Sequence, residues 1–114
     1  MSAPKPFAPS EIQRRLRRLH TAQRRQGLDA LLVTTPINRF YFTGLDASNG
    51  VLLSERGAPP AFYTDFRYLT MARRVAPWLP THELWKPALE PEVVAGLGHA
   101  WRRVGYEGAM PASR

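Results

Sequence analysis

Gly27-Leu-Asp-Ala-Leu-Leu-Val-Thr-Thr-Pro36 decides the fold of this chain. Asp29 to Thr35 is a short apolar and β-branched run set between a Gly-Leu turn and a proline. A run without polar alternation marks a strand covered on both faces. Upstream, Ser10 with Gln13 three residues later forms a capping-box pattern. Ile12, Leu16, Leu19 and then Ala22 or Gln23 recur at helical spacing until Gly27, a good residue for a helix exit. The spacing predicts a helix over Glu11–Gln26, and its narrow apolar stripe implies a surface helix with its arginines in water.

Downstream of Pro36 the aromatic group Phe40, Tyr41 and Phe42 runs into Gly44. Proline at the start and glycine at the stop predict a short helical turn over Ile37–Thr43, followed by a polar loop, Leu45 to Asn49. Gly50–Leu53 and Pro60–Thr64 are apolar runs separated by Ser-Glu-Arg-Gly-Ala-Pro, which predicts a hairpin of antiparallel neighbours. Thr64 or Asp65 is placed to cap a helix that begins at Phe66, carries Leu69, Ala72 and Val75 on one face and stops before Pro77. Thr81–Lys86 reads as a strand and Glu92–Arg103 as a helix carrying Val93, Leu97, Ala100 and Trp101. Val104–Glu107 reads as a closing strand. This order predicts an α/β domain around a mixed sheet of about five strands.

With 114 residues, 44% of them hydrophobic, the chain holds one domain with a single core. Residues 1–9 read as a flexible lead-in, 10–108 as the domain and 109–114 as the start of a linker to a further domain. No run reaches the ~20 apolar residues of a membrane span, and the N-terminus lacks the apolar core of a signal peptide, so a cytoplasmic location is expected. The absence of cysteine removes disulfides, thiol nucleophiles and cysteine-based zinc sites.

A net charge of +7 raises the question of a nucleic-acid partner. Six of the 16 basic residues, Arg14, Arg15, Arg17, Arg18, Arg24 and Arg25, fall on the first helix, where no aromatic residue interleaves with them. A solvated helix face or half of an interface is the better reading.

Catalytic signatures do not emerge. His20, His82 and His99 each lack a second ligand at metal-binding spacing, and neither a Gly-x-Ser-x-Gly, a Walker loop nor a Gly-x-Gly-x-x-Gly is present. A dyad of Asp65 with Glu83, or of Asp46 with Arg67, would need convergence in space. Asp65 already has an explanation as a helix cap, and Arg67 as the partner of Asp65 or Asp46. Trp78, Trp85 and Trp101, with Tyr41 and Phe40, are assigned to core packing or a domain interface.

Three stretches in order, with a fourth closing them, resemble the N-terminal domain of the creatinase, prolidase and aminopeptidase P (pita-bread) metallopeptidases. They are RLHTAQRRQGLDALLVT from Arg18 to Thr34, Asn38-Arg-Phe-Tyr-Phe-Thr-Gly-Leu45, Tyr63-Thr-Asp-Phe-Arg-Tyr68 and Val104-Gly-Tyr-Glu107. Asn38, Tyr41, Gly44, Asp65, Arg67 and Tyr68 carry the second and third motifs as structural positions. The resemblance covers nearly all of residues 10–108 and implies a three-layer, ribonuclease H-like domain, with a mixed sheet of about five to six strands flanked by helices.

The resemblance also implies what lies elsewhere. Relatives hold a pair of divalent metal ions (Mn, Co or Zn) on two aspartates, one histidine and two glutamates of a following catalytic domain, which cleaves a peptide bond next to proline or an analogous C–N bond. No part of this chain resembles that domain, so the chain is expected to be non-catalytic, with the catalytic domain as its partner and a homodimer as a further expectation. The loop Leu45, Asp46, Ala47, Ser48 and Asn49 resembles the segment that faces a neighbouring subunit's cleft. Creatinase-like members place an aromatic residue and an arginine there; this loop has neither, which favours a peptidase-like parent. Two rival readings make separate predictions. A stand-alone nucleic-acid module would bind with steep salt dependence, whereas a free oligomerisation domain would form a stable dimer.

Overall fold

The computed structural model describes residues 8–47, 49–83 and 101–106. In chain order they form α1 (Pro9–Arg25), β1 (Ala30–Val33), α2 (Pro36–Thr43), β2 (Val51–Glu55), β3 (Ala61–Thr64), α3 (Phe66–Val75), β4 (Thr81–Glu83) and β5 (Val104–Tyr106). The strands make one mixed sheet in the order β4-β3-β2-β1-β5. β1 and β2 are antiparallel, with Leu32 opposite Leu53, and β2 and β3 are antiparallel, with Leu52 opposite Phe62. The outer pairs are parallel: β1 with β5, and β3 with β4. β1, β3, β4 and β5 therefore all run in one direction and finish at the same end of the sheet.

All four residues of β1 are buried, as a strand without polar alternation requires. Leu31 and Val33 share one core with Leu52 and Phe62, against Ile12, Leu16 and Leu19 of α1, Phe42 of α2 and Ala72 of α3. Ala30, Leu32, Val51 and Leu53 face the other way, with Tyr63, Trp101 and Val104 packed on them. Both faces are thus out of water, which makes this a five-stranded sheet flanked by layers, as expected. Each fully buried leucine of the central strands contributes about 1.5–3 kcal/mol relative to exposure.

Helix α1 buries Ile12, Leu16, Leu19 and Gln23, which repeat every three or four residues. Gln23 is wholly buried because its amide is consumed. Nε2 donates to Leu28 O and Asp29 O at 3.1 and 3.3 Å, and Oε1 accepts from Ser54 Oγ at 2.7 Å. The helix therefore clasps the entrance of β1 and the middle of β2.

Two local expectations are corrected. The Ser10–Gln13 capping box does not form. Helix α1 starts at Pro9, with Ala8 as its N-cap and no side-chain cap. Proline's fixed φ and missing N–H suit the first helical position, which carries Ser10 into the first turn. The helix expected over Glu92–Arg103 does not reach its predicted end, because residues 101–103 are not helical. The reason is long-range: Asp29 Oδ2 accepts the backbone N–H groups of Arg102 and Arg103 at 2.7 and 3.0 Å and turns the chain into β5. The lead-in through residue 7, Leu84–Lys86 of the expected strand, residues 92–100 of that helix, and Glu107 lie outside the described residues.

Candidate functional site

The end of the sheet at which β1 and β3 finish also carries α2, the segment 44–50 that leads into β2, and the first turn of α3. Two of the motifs singled out in the sequence, Asn38–Leu45 and Tyr63–Tyr68, therefore meet there. Helix α2 begins with Pro36 and ends at Gly44, whose φ of 73° places it in the left-handed region that a side chain would penalise by about 1–2 kcal/mol.

The loop that follows is held by hydrogen bonds from four directions. Thr43 Oγ1 donates to Arg39 O at 2.6 Å and accepts from Leu45 N at 3.0 Å. Thr64 Oγ1 donates to Asn49 O at 2.7 Å, and Asn49 Nδ2 approaches Asp65 Oδ2 at 3.5 Å. The centre is Arg39, only 4% exposed. Its Nη2 donates to Ala47 O at 2.7 Å, and its Nη1 donates to Gly50 O at 3.1 Å and to Thr34 O. One guanidinium thereby joins the end of β1, the middle of the loop and the start of β2. Five N–H groups in a rigid planar fork make arginine suited to binding several carbonyls at once. Gly50 must stay small for the same geometry, since an added Cβ would lie 2.7 Å from the Phe62 ring.

Of the five loop positions, Leu45 and Ala47 turn into the core, with 2% and 5% exposure. Asp46 is exposed, Asn49 is half-buried, and Ser48 lies outside the described residues. The loop thus presents Asp46 outward on a backbone fixed from beneath. Asn38 is half-buried on α2. Tyr41 lies under the Arg15 guanidinium, 4.1 Å from the ring centroid, and its carbonyl accepts from Arg15 Nη1 at 2.8 Å. That contact docks α2 on α1.

Asp65 performs the capping role expected of it: Oδ1 accepts from Arg67 N at 3.0 Å. The Arg67 guanidinium folds back on the same carboxylate, with Nε to Oδ1 at 3.0 Å and Nη2 to Oδ2 at 2.8 Å, so Arg67 pairs with Asp65. These bonds hold the Asp65 carboxyl below the usual aspartate range and raise Arg67, the side-chain bond between them being the largest cause for each. A carboxylate so engaged is a cap, poorly suited to proton transfer at neutral pH. The Arg67 guanidinium also lies 5.1 Å from the Tyr68 ring. Around this framework stand exposed apolar side chains, Ile37 at 82% and Phe40 at 42% on α2, with Phe66 at 68% at the start of α3.

No group of three or more His, Asp or Glu able to hold a metal ion occurs among the described residues. The metal pair implied by the resemblance finds no ligand set there. The described aromatic residues form no common platform either: Trp101 donates to Glu55 Oε2 at 2.8 Å, Trp78 packs on the core and Phe40 is on α2. Trp85 lies outside the described residues. No helix of the described residues is long and apolar enough to cross a membrane.

The residue missed in the sequence is Arg39. Its signal was available, because Arg39, Phe42 and Thr43 stand three and four apart and form the buried face of α2.

A mixed five-stranded sheet in this order, flanked by helices and with the two motifs meeting at one end, defines an α/β domain of the creatinase N-terminal-like class. The profile described as "Creatinase/Prolidase N-terminal domain" matches residues 15–114, and the chain belongs to that family. Among solved structures, it is similar to the N-terminal domain of the cytoplasmic peptidase PepQ from Mycobacterium tuberculosis H37Rv, at 28% identity and a TM-score of 0.72. That match covers 85% of this chain and 75% of that one. It is similar to the creatinase/prolidase-like N-terminal domain of a Corynebacterium diphtheriae protein assigned as a metallopeptidase. There identity is 27% and the TM-score 0.73, covering 89% of this chain and 78% of that one. A Xaa-Pro dipeptidase from Bacillus anthracis matches at 25% identity and a TM-score of 0.69, over 87% of this chain; the match spans 28% of the dipeptidase. A comparison with curated proteins finds no match.

Proposed function

We propose that this chain is the supporting, non-catalytic N-terminal domain of a cytoplasmic Xaa-Pro metallopeptidase of the aminopeptidase P or prolidase type. In this reading residues 109–114 open the linker to a catalytic domain that holds the divalent metal pair, Mn, Co or Zn. The domain assists subunit association and shapes the rim of a substrate cleft. One observation carries the proposal: a loop fixed from beneath by Arg39 leaves Asp46 exposed, and Ile37 and Phe40 of α2 and Phe66 of α3, the helices that flank this end of the sheet, are exposed as well. A rigid loop can shape a cleft without an ordering cost on each encounter, and exposed apolar side chains suit a protein contact.

The test compares the purified chain with its parent in cleavage of Xaa-Pro peptides under added Mn, Co or Zn. The chain alone is expected to be inactive. In the parent, Asp46→Ala is expected to raise KM severalfold, and Ile37→Glu with Phe66→Glu to weaken subunit association in sedimentation, both without loss of fold. Hydrolysis by the chain alone, or a parent indifferent to all three substitutions, would overturn the proposal.

A further inference from the structure

At the opposite end of the sheet, where the β2–β3 turn lies, a groove of about 570 Å³ opens between α1, that turn and the segment before β4. This is the size range of ordinary ligand sites. One wall is a stripe of α1. Arg17, His20, Thr21 and Arg24 stand three or four residues apart and therefore share a face. Leu16, Trp78 and Leu79 supply apolar surface, and Pro59, Pro60 and Pro80 form the opposite wall. Among the described residues the lining contains no acidic side chain. Arg14 and Arg15 both pair with Glu11, but no ion pair engages Arg17 or Arg24 among the described residues. The Trp78 indole N–H is buried and has no hydrogen-bond acceptor among the described residues.

We infer that this groove binds an acidic peptide in polyproline II conformation, with carboxylates at positions i and i+3. Arg17 and Arg24 are seven residues apart, so about 10 Å along the helix axis. Polyproline II repeats its side-chain direction every third residue, at about 3.1 Å per residue, and so places two carboxylates on one side about 9 Å apart. A β-strand would turn residues i and i+3 to opposite sides. The polyproline backbone makes no internal hydrogen bonds, so its carbonyls stay open to water or to donors along the groove. Polyproline II segments dock on aromatic-lined grooves, and Trp78 supplies an aromatic face here. A concave, partly apolar groove with two guanidiniums in its described lining suits this ligand better than a nucleic-acid backbone, which would call for a longer row of cations. The inference is independent of the function proposed above, which concerns the other end of the sheet.

The test is fluorescence anisotropy of the full chain with a labelled Glu-Pro-Leu-Glu peptide. Its controls are Gln-Pro-Leu-Gln, the respaced Glu-Glu-Pro-Leu and single-stranded oligothymidylate. Saturable binding to Glu-Pro-Leu-Glu is expected. It should weaken at least tenfold in the double variant Arg17→Glu with Arg24→Glu, whose positions are exposed and whose fold is checked by circular dichroism, and severalfold for the respaced peptide. Absence of saturable binding at about 1 mM, or equal affinity in the double variant, would overturn the inference. Tighter binding of oligothymidylate than of the peptide would also overturn it, giving the stripe to nucleic acid instead.

Discussion

Where β1 and β3 finish, a buried guanidinium ties down the loop 44–50; where β1 begins, a partly exposed carboxylate ties down the approach to β5. Arg39 binds three carbonyls within the core. Asp29 accepts two backbone N–H groups and lies 3.4 Å from the Arg56 guanidinium, near the surface. The backbone N–H groups of Arg103 and Arg102 are the leading causes that lower the Asp29 carboxyl from its ordinary value. A guanidinium has no proton to gain in acid and is not deprotonated in proteins. Asp29 does titrate. The comparison teaches that the surface loop, usually the mobile part of a domain, is here anchored by the group least sensitive to conditions. The internal strand junction instead depends on one that acid can switch off.

Arg39→Met should break the comparison outright. It leaves the buried carbonyls of Ala47 and Gly50 and the part-buried one of Thr34 without this donor, at about 1–3 kcal/mol for each that water cannot reach, so a total loss of about 3 kcal/mol is expected. Urea denaturation measures it, and a loss below about 1 kcal/mol would remove Arg39 from its anchoring role. Arg39→Lys should recover only part of the stability, because an ammonium cannot reproduce the planar fork.

A smaller effect is expected from Asp65→Ala, which removes the α3 cap and the partner of Arg67, at about 1 kcal/mol. An unchanged denaturation midpoint would show that the helix starts without the cap. The subtlest prediction concerns acid. The folded-state pKa of Asp29 is depressed below its ordinary 3.8, so its contribution is present above that value and is lost as the pH falls through the folded pKa. Asp29→Asn keeps an acceptor oxygen but no titrating group. Its stability should therefore depend less on pH than the parent chain's below about pH 4. Superimposable acid-unfolding curves would exclude Asp29 as the sensitive joint.

Most of the architecture was legible because its causes are local. The apolar run of β1, the proline and glycine that bound α2, the hairpin, and Asp65 ahead of α3 each rest on neighbours within a few residues. The two failures have other causes. Ser10 looks like a cap, yet Pro9 one residue earlier is the better helix start. Trp101 to Arg103 continue a helical pattern, yet a carboxylate 74 residues from Arg103 captures their backbone. At the site, the sequence marked the segment 45–49 as a polar loop, whereas Leu45 and Ala47 are buried and Asp46 is exposed. The loop's anchor was not legible, because a buried arginine has the same letter as the exposed ones around it and differs only in sharing a helix face with Phe42 and Thr43.

The parallel pairing of β1 with β5 has a consequence for how the domain is assembled. β1 lies between β2 and β5, and its register with β5 joins Ala30–Leu32 to Val104–Tyr106. During synthesis, β2 and β3 can pair with β1 and with each other as soon as the hairpin emerges, whereas the opposite edge of β1 waits for the last strand. An unfilled, wholly apolar strand edge is a template for pairing with another chain. The vulnerable interval of this domain is therefore the time taken to make the residues between β3 and β5, when partners for that edge are most profitably supplied by a chaperone or withheld by dilution.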